Sequence, residues 1–246
     1  DSAAPTLAVD FGETRKGNAG RPKYPTPHAR SRDEALGASF NFMAMGWKSA
    51  TSFTRFQNDH TNPDSNIYTK LHSWTIKEDL RKSFEMPWLG LVDTGLMASH
   101  TQAQGNKVKP VEEQSYGIFG QKRIKLKAVP LNFSLGLRAN VYSEFDTAIN
   151  PEIKAAWEKS VFRVEAAFQM TNNTPTIRQR YYETSTTKPN PNLDMERGYN
   201  YSLGASCSPW KGLTLSATAF YNQIKDRITY MRGDGAVGRY ENLGET

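Results

Sequence analysis

Several features are scarce in this chain, and each scarcity narrows what it can be. Cysteine occurs once, at Cys207, so no internal disulfide can form and a disulfide-stapled scaffold is excluded. Hydrophobic residues make up 37% of the 246, and mean hydropathy is −0.66. Nowhere do about 18 apolar residues follow one another, so a transmembrane helix is excluded. Membrane-spanning strands escape that test, because they need only about 9–11 residues, half of them polar. Helical periodicity is almost absent. The one candidate, 76–84, continues an extended run through Thr75-Ile76-Lys77 and is read as strand. The four histidines, His28, His60, His72 and His100, are scattered and have no cysteine cluster beside them, so no metal site and no cofactor are expected. Net charge is +6, which fits an acidic partner or an ordinary solvated surface. No Lys/Arg block carries interleaved stacking aromatics, so nucleic acid is not an expected partner.

What the chain does have is alternation. In "YSLGASCSPWKGLTLSATAF" (201–220), Tyr201, Leu203, Ala205 and Cys207 share one face, and Ser202, Gly204, Ser206 and Ser208 the other. After Pro209-Trp210-Lys211-Gly212, Leu213, Leu215, Ala217 and Ala219 alternate with Thr214, Ser216 and Thr218. Period 2 with Pro and Gly in the link predicts a β-hairpin. The same pattern recurs at 36–42, 132–141 and 162–170, where Phe162, Val164, Ala166, Phe168 and Met170 oppose Arg163, Glu165 and Gln169. Less regular strands fit 7–13, 47–57, 67–84, 88–104, 113–126 and 150–158. With 198–208, 213–231 and a start at Tyr240, roughly eleven or twelve strands are expected.

Alternation alone leaves two solutions open: an apolar face on a dry core, or an apolar face on lipid with a wet lumen behind it. The links favour the second. Short ones fall near 44–47, 85–88, 127–131, 158–161 and 209–212; longer polar ones near 14–33, 58–66, 105–112, 144–150, 171–197 and 232–239. An outer-membrane barrel has short periplasmic turns at one rim and long extracellular loops at the other. Trp47, Trp88 and Trp210 sit at or beside short turns, as an interfacial girdle would. The other reading of such tryptophans is a plug at the end of a soluble core.

Catalytic signatures are weak. "GDGAVG" (233–238) fits G-x-G-x-x-G, but a strand rather than a helix follows it, so it is read as a hairpin loop. No G-x-S-x-G elbow occurs, and nothing favours a Ser–His–acid site. No enzyme and no catalytic residue are expected. The loops are more suggestive. The first, 14–33, carries Arg15, Lys16, Arg21, Lys23, Arg30 and Arg32; the loop at 171–197 carries Arg178, Arg180, Tyr181, Tyr182 and Lys188. Arg178, Arg180, Tyr181 and Tyr182 are the candidate ligand-binding residues. Arginine with tyrosine suits an anionic, partly aromatic ligand such as a ferric chelate, by charge-assisted hydrogen bonds and stacking. Contact with lipopolysaccharide phosphates, or plain solvation, is the alternative.

The last third also carries a resemblance. Asn190-Pro191-Asn192-Leu193 with Glu196, then Phe220-Tyr221-Asn222 with Ile224, Asp226 and Ile228, then Glu241-Asn242-Leu243-Gly244, resemble the barrel of TonB-dependent outer-membrane receptors. Met195 stands where that family usually has proline, and "EQSYGIFGQ" (113–121) looks similar to another of its strands. The resemblance implies an all-β, antiparallel transmembrane β-barrel segment of a plugged barrel of about 22 strands. Residues 1–246 would be a partial barrel, with the plug domain and the C-terminal strands absent. The start at Asp1 and the stop just after a new strand fit a segment cut at both ends. It further implies TonB-dependent uptake of a scarce nutrient, a ferric siderophore, another metal chelate or cobalamin, in the outer membrane of a Gram-negative bacterium. The implied partners are outer-membrane lipid and lipopolysaccharide, a small-molecule chelate, and the inner-membrane energy-coupling complex reached through the plug. A passive outer-membrane pore and a soluble β-sandwich binding module are the rival readings.

Overall fold

The structure is a computed structural model that describes residues 4–87, 90–126, 128–184, 186–233 and 237–245. Eleven long strands form one antiparallel sheet: β1 (Thr6–Gly17), β4 (Arg30–Ala44), β5 (Trp47–Asn62), β6 (Ile67–Met86), β7 (Gly90–Gly105), β8 (Val108–Lys125), β9 (Leu131–Tyr142), β10 (Ala148–Lys159), β11 (Phe162–Asn173), β13 (Glu196–Trp210) and β14 (Leu213–Lys225). Each pairs with its neighbours in chain order, as an up-and-down barrel wall must. The short strands lie outside this wall: β2 (Gly20–Arg21) pairs with β3 (Tyr24–Pro25), and β12 (Thr187–Lys188), β16 (Gly238–Leu243) and β15 (Arg227–Arg232) form a second small sheet.

The pairing register sorts side chains into two faces that run unbroken across strands. One row joins Leu135, Ile153, Phe168, Tyr201 and Tyr221; the next pair of rows contains Ala155, Ala166, Leu203 and Ala219, then Trp157, Val164, Ala205 and Ala217. The opposite face joins Arg163, Ser206 and Ser216, and puts Arg138 opposite Asn150. Both follow from period 2, so the expected sidedness of these residues holds. The polar face carries a cleft of about 620 Å³ that runs from β6 to β11 and forms the concave, inner side of the barrel wall. The apolar face is convex and bare: Leu203 is 56% exposed, Leu215 59% and Leu137 54%. Among the described residues no second sheet packs on it, so no β-sandwich core is formed.

Two belts of aromatic residues bound the convex apolar band. Trp47 and Phe84 meet edge-on at 6.1 Å near the short turns, with the Lys82 ammonium 5.3 Å from each ring. Trp157 and Trp210 lie at the same rim; Trp88 lies outside the described residues. At the other border, Trp74 stacks on Phe53 and tilts against His100, and Tyr201 lies between Phe168 and Tyr221. Nine residues separate Tyr201 from Trp210, and ten separate Trp74 from Phe84. At about 3.3 Å per residue and about 40° of tilt, those intervals rise about 23–25 Å, the height of a barrel's apolar band.

The links expected to be short fall at one rim and those expected to be long at the other, as alternate strand direction requires. Two of the short turns use glycine in the left-handed region, Gly46 at φ 75° and Gly212 at φ 92°, where only glycine is unstrained; of the 85–88 turn, Trp88 lies outside the described residues. Several expected loops turn out to be strand. The expected 105–112 loop shrinks to Asn106 and Lys107, and the 58–66 loop to Pro63–Asn66, because β5 to β8 stay paired well beyond the outer aromatic belt. The 14–33 loop likewise narrows to 18–29. The expected strand 213–231 is broken at Asp226, whose φ is 57°. Aspartate tolerates this conformation, and it turns β15 away from the wall to pair with β16. One α-helix appears where none was expected, α1 (Ile177–Tyr181), in the β11–β13 loop.

Candidate functional site

The two longest links fold back against the outer ends of the wall strands, on their lumenal side. Helix α1 begins with a reciprocal cap: Gln179 N–H donates to Thr176 Oγ1, and Gln179 Oε1 accepts from Thr176 N–H. From there the loop crosses three strands to reach β8. Glu183 N–H donates to the Lys107 carbonyl at 3.1 Å, and the Tyr182 hydroxyl approaches Thr69 Oγ1 on β6 at 3.5 Å. The first loop does the same on the other side, where Asn18 Nδ2 donates to Ser31 Oγ at 2.8 Å and Ser31 Oγ lies 2.9 Å from His60 Nδ1. Ser31, His60, Thr69 and Glu113 all belong to the lumenal set of their strands.

Arg180 holds the larger loop in place. It is 3% exposed. Its guanidinium donates to Glu113 on β8 at 2.9 Å and to Glu144 in the β9–β10 link at 3.3 Å. Phe145 and Tyr181 offer their rings to it, with centroids 4.5 Å and 4.7 Å away. Two carboxylates and two aromatic faces satisfy an arginine that leaves water, and only Nε lacks a partner. Glu113, near the outer end of β8 and outside the membrane band, has its carboxyl pushed above the usual range: burial outweighs the attraction of Arg180. Burial likewise raises the Tyr181 hydroxyl.

The four candidate ligand residues therefore divide. Arg178 is exposed and stacks on the half-buried Tyr182, 4.8 Å from its centroid. Arg180 and Tyr181 face inward, into the loop's own support. The basic residues of the first loop are largely paired. Glu13 takes both Arg15 and Arg32, Lys16 meets Asp33 at 3.3 Å, and Arg30 donates to the carbonyls of Pro27 and Ala29. Sequence reasoning gave Glu113, Glu144 and Phe145 no part in this site; the T-x-x-Q spacing of Thr176 and Gln179 is the one local signal that could have placed the start of α1.

The motif residues of the last third meet one another. Asn190 Nδ2 donates to the Tyr240 carbonyl, and Asp194 N–H donates to Asn242 Oδ1. Asn242 Nδ2 returns bonds to the carbonyls of Asp194 and Asp226. Glu196 accepts from Asn173 Nδ2 and from Ile228 N–H. Leu193 and Met195, 3% and 7% exposed, pack beneath. This is a joint that fixes where β13 starts and where β15 leaves the wall. Hydrolytic groupings are incomplete among the described residues: Ser31–His60 has no acid on the ring, and His28–Asp64, 2.7 Å apart, has no nucleophile. Of "GDGAVG", residues 234–236 lie outside the described residues.

A family model described as "TonB dependent receptor-like, beta-barrel" matches residues 3–246. The chain belongs to that family. Similar solved structures agree on the fold of this receptor barrel. The siderophore receptor PirA from Pseudomonas aeruginosa is 17% identical with a TM-score of 0.75, over 98% of this chain and 46% of that one. The hemophore receptor HasR of Serratia marcescens, solved with its hemophore HasA and heme, is 13% identical with a TM-score of 0.76, over 98% and 48%. The ferric enterobactin receptor PfeA of Pseudomonas aeruginosa is 14% identical with a TM-score of 0.72, over 98% and 45%. The receptor segment thus spans a little under half the length of these structures. No curated protein matches it.

Proposed function

We propose that residues 1–246 are one part of a larger receptor barrel in the outer membrane of a Gram-negative bacterium. The sheet supports this: β1 and β14 are its two ends and do not pair with each other. The whole receptor, completed by further strands and a plug, takes up a ferric siderophore, another metal chelate or cobalamin. It draws on the inner-membrane energy-coupling complex through that plug, and it catalyses no reaction. Receptors that share its fold are named for siderophores, ferric enterobactin and a hemophore.

The observation that carries the uptake reading is the cap. A loop pinned on the lumenal side at the outer end of the wall is of use to a gated receptor and an obstruction to a passive pore. The exposed Arg178–Tyr182 stack at its outer surface presents a cation and an aromatic edge to an incoming anionic chelate. Arg180 and Tyr181 hold that pair in position. Arg55 and His72, beside Trp74 at the outer aromatic belt, line a small cleft suited to the headgroups of outer-membrane lipid or lipopolysaccharide. The test is uptake of radiolabelled ferric chelates and cobalamin by cells carrying the full receptor. One of these ligands should accumulate, and collapse of the inner-membrane potential should stop it. Arg178→Ala with Tyr182→Ala should raise the half-saturating concentration at least tenfold. Accumulation indifferent to the potential would favour the pore.

A further inference from the structure

Beyond the outer belt, the β11–β13 loop and the β15–β16 hairpin lie apart in the sequence but are bonded to one another along their length. β12 in the loop runs parallel to β16 in the hairpin, with Thr187 beside Gly238 and Lys188 beside Arg239. The Thr186 carbonyl accepts from Gly238 N–H at 2.9 Å and from the Tyr230 hydroxyl at 2.8 Å. Further along, Asn190 Nδ2 donates to the Tyr240 carbonyl at 2.8 Å, and α1 packs against β16. The hairpin is tight at this contact. A methyl on Gly238 would meet the Met231 carbonyl oxygen at 2.5 Å and the Tyr230 ring at 2.7 Å.

The two elements together are attached to the wall in two different ways. On one side the chain itself holds them: the loop leaves β11 and returns into β13, and the hairpin leaves β14. There Asn242 bonds to both Asp194 and Asp226, and Glu196 accepts from Ile228 N–H at 2.7 Å. On the far side, toward β8 and β6, the attachment is non-covalent. Arg180 reaches Glu113 and Glu144, Glu183 N–H donates to the Lys107 carbonyl, and the Tyr182 hydroxyl approaches Thr69. Among the described residues, β15 pairs with β16 and with no wall strand. The hairpin therefore has no ladder of its own to the wall.

We propose that loop and hairpin form one strap, hinged at the Asn242 joint and latched to β8 by Arg180, so that undoing the latch loosens the hairpin as well as the loop. Segments bonded more extensively to one another than to their surroundings open as a unit. The bonds between loop and hairpin run from Thr186 to Asp194 and mostly use main-chain groups. The latch centres on one buried guanidinium. Asp226, at φ 57°, is where the hairpin departs from the line of β14. Coupling of this kind acts in both directions. On the uptake reading, a ligand drawn to Arg178 and Tyr182 therefore acts on the hairpin too. The coupling itself needs no ligand and is tested without one.

The test is hydrogen exchange on the full receptor, resolved to single amides and read at both ends of the strap. Arg180→Ala should speed exchange at the Gly238 amide about tenfold, together with α1, while the amides of β13 and β14 stay slow. The reverse experiment starts from the hairpin. Gly238→Ala forces a methyl against the Met231 carbonyl and the Tyr230 ring, and should speed exchange at the Glu183 amide, on the latch. Tyr230→Phe removes only the hydroxyl bonded to Thr186 and keeps the ring against Tyr240. It should move the Glu183 amide in the same direction by a smaller factor, so the outcome does not depend on the hairpin surviving Gly238→Ala. A response confined to α1 in Arg180→Ala, or to the hairpin in the other two variants, would mean two independent loops and overturn the proposal. Protection lost equally across β13 and β14 would also overturn it, because the wall rather than a strap would then be opening.

Discussion

The wall and the cap of this receptor segment are built by different physics. Between the aromatic belts the wall has almost no interior: Val164, Leu203 and Leu215 are open on one side, and the lumenal side chains on the other. Its cohesion is the hydrogen-bond ladder, which hydrocarbon enforces because an unpaired peptide group there has no water to turn to. Beyond the outer belt the chain behaves like a small soluble protein. Ala29, Ala103, Val108, Ala148, Leu193 and Met195 are buried there, as are Ser31, Asn62, Thr69 and Arg180. In the band, Ser49 beneath Glu78 is the buried polar exception. From β9 to β14 the wall keeps polar side chains to one face and apolar ones to the other. The cap instead tolerates a polar group wherever its partners come with it.

The largest effect should come from breaking the cap at Arg180. Arg180→Ala removes a buried guanidinium with its packing on Phe145 and Tyr181 and leaves the part-buried Glu113 and the more open Glu144 without their cation, a loss of about 3–5 kcal/mol. Hydrogen exchange on the full receptor should show residues 174–195 opening, with the strands of the wall still protected. Unchanged protection of that loop would refute the pinning role. The wall is then tested by one pair of neighbours. Ala205 lies on the apolar face about midway between Tyr201 and Trp210, and Ser206 on the polar one. Ala205→Arg should cost about 2–4 kcal/mol of folding stability in a bilayer. Ser206→Arg should stay within about 0.5 kcal/mol, as a surface change does. Urea titration of the receptor refolded into vesicles reads both, and equal costs would mean that the two faces are misassigned.

The same contrast explains what could be read in the sequence. Inside the band the two faces meet different solvents, so composition alternates and the strands at 132–141, 162–170 and 198–208 are legible. Beyond the outer belt both faces meet water or protein and alternation fades. That is why β5 to β8 look like loops at 58–66 and 105–112 while their ladders continue. The kink at Asp226 was invisible for the opposite reason: alternation runs straight through Ile224 and Ile228 although the backbone turns. Arg180 drew attention by its type, but its partners Glu113 and Glu144 lie 67 and 36 residues away. Nothing local distinguishes an arginine waiting for a ligand from one already spent on its own fold.

The smallest effect expected is at the edge of the cap, where His28 in the first loop meets Asp64 in the turn after β5. His28 Nδ1 lies 2.7 Å from Asp64 Oδ1, and His28 N–H donates to Asp64 Oδ2 at 3.0 Å. The His28 side chain, then its backbone N–H, holds the Asp64 carboxyl below the ordinary aspartate value of 3.8. A carboxyl whose folded value is depressed binds fewer protons in the folded state than in the unfolded one. Its contribution is therefore fully present above 3.8 and is lost as pH falls below that value and through the folded one. The contact is open to solvent and joins only two loops, so the response should be local. Acidification through this range should speed hydrogen exchange at the His28 amide while the amides of the wall stay slow. Asp64→Asn keeps an oxygen for the His28 amide but cannot titrate. It should hold exchange at His28 to the amide's intrinsic pH dependence, and an acid response that survives this substitution would place the sensitive group elsewhere in the cap.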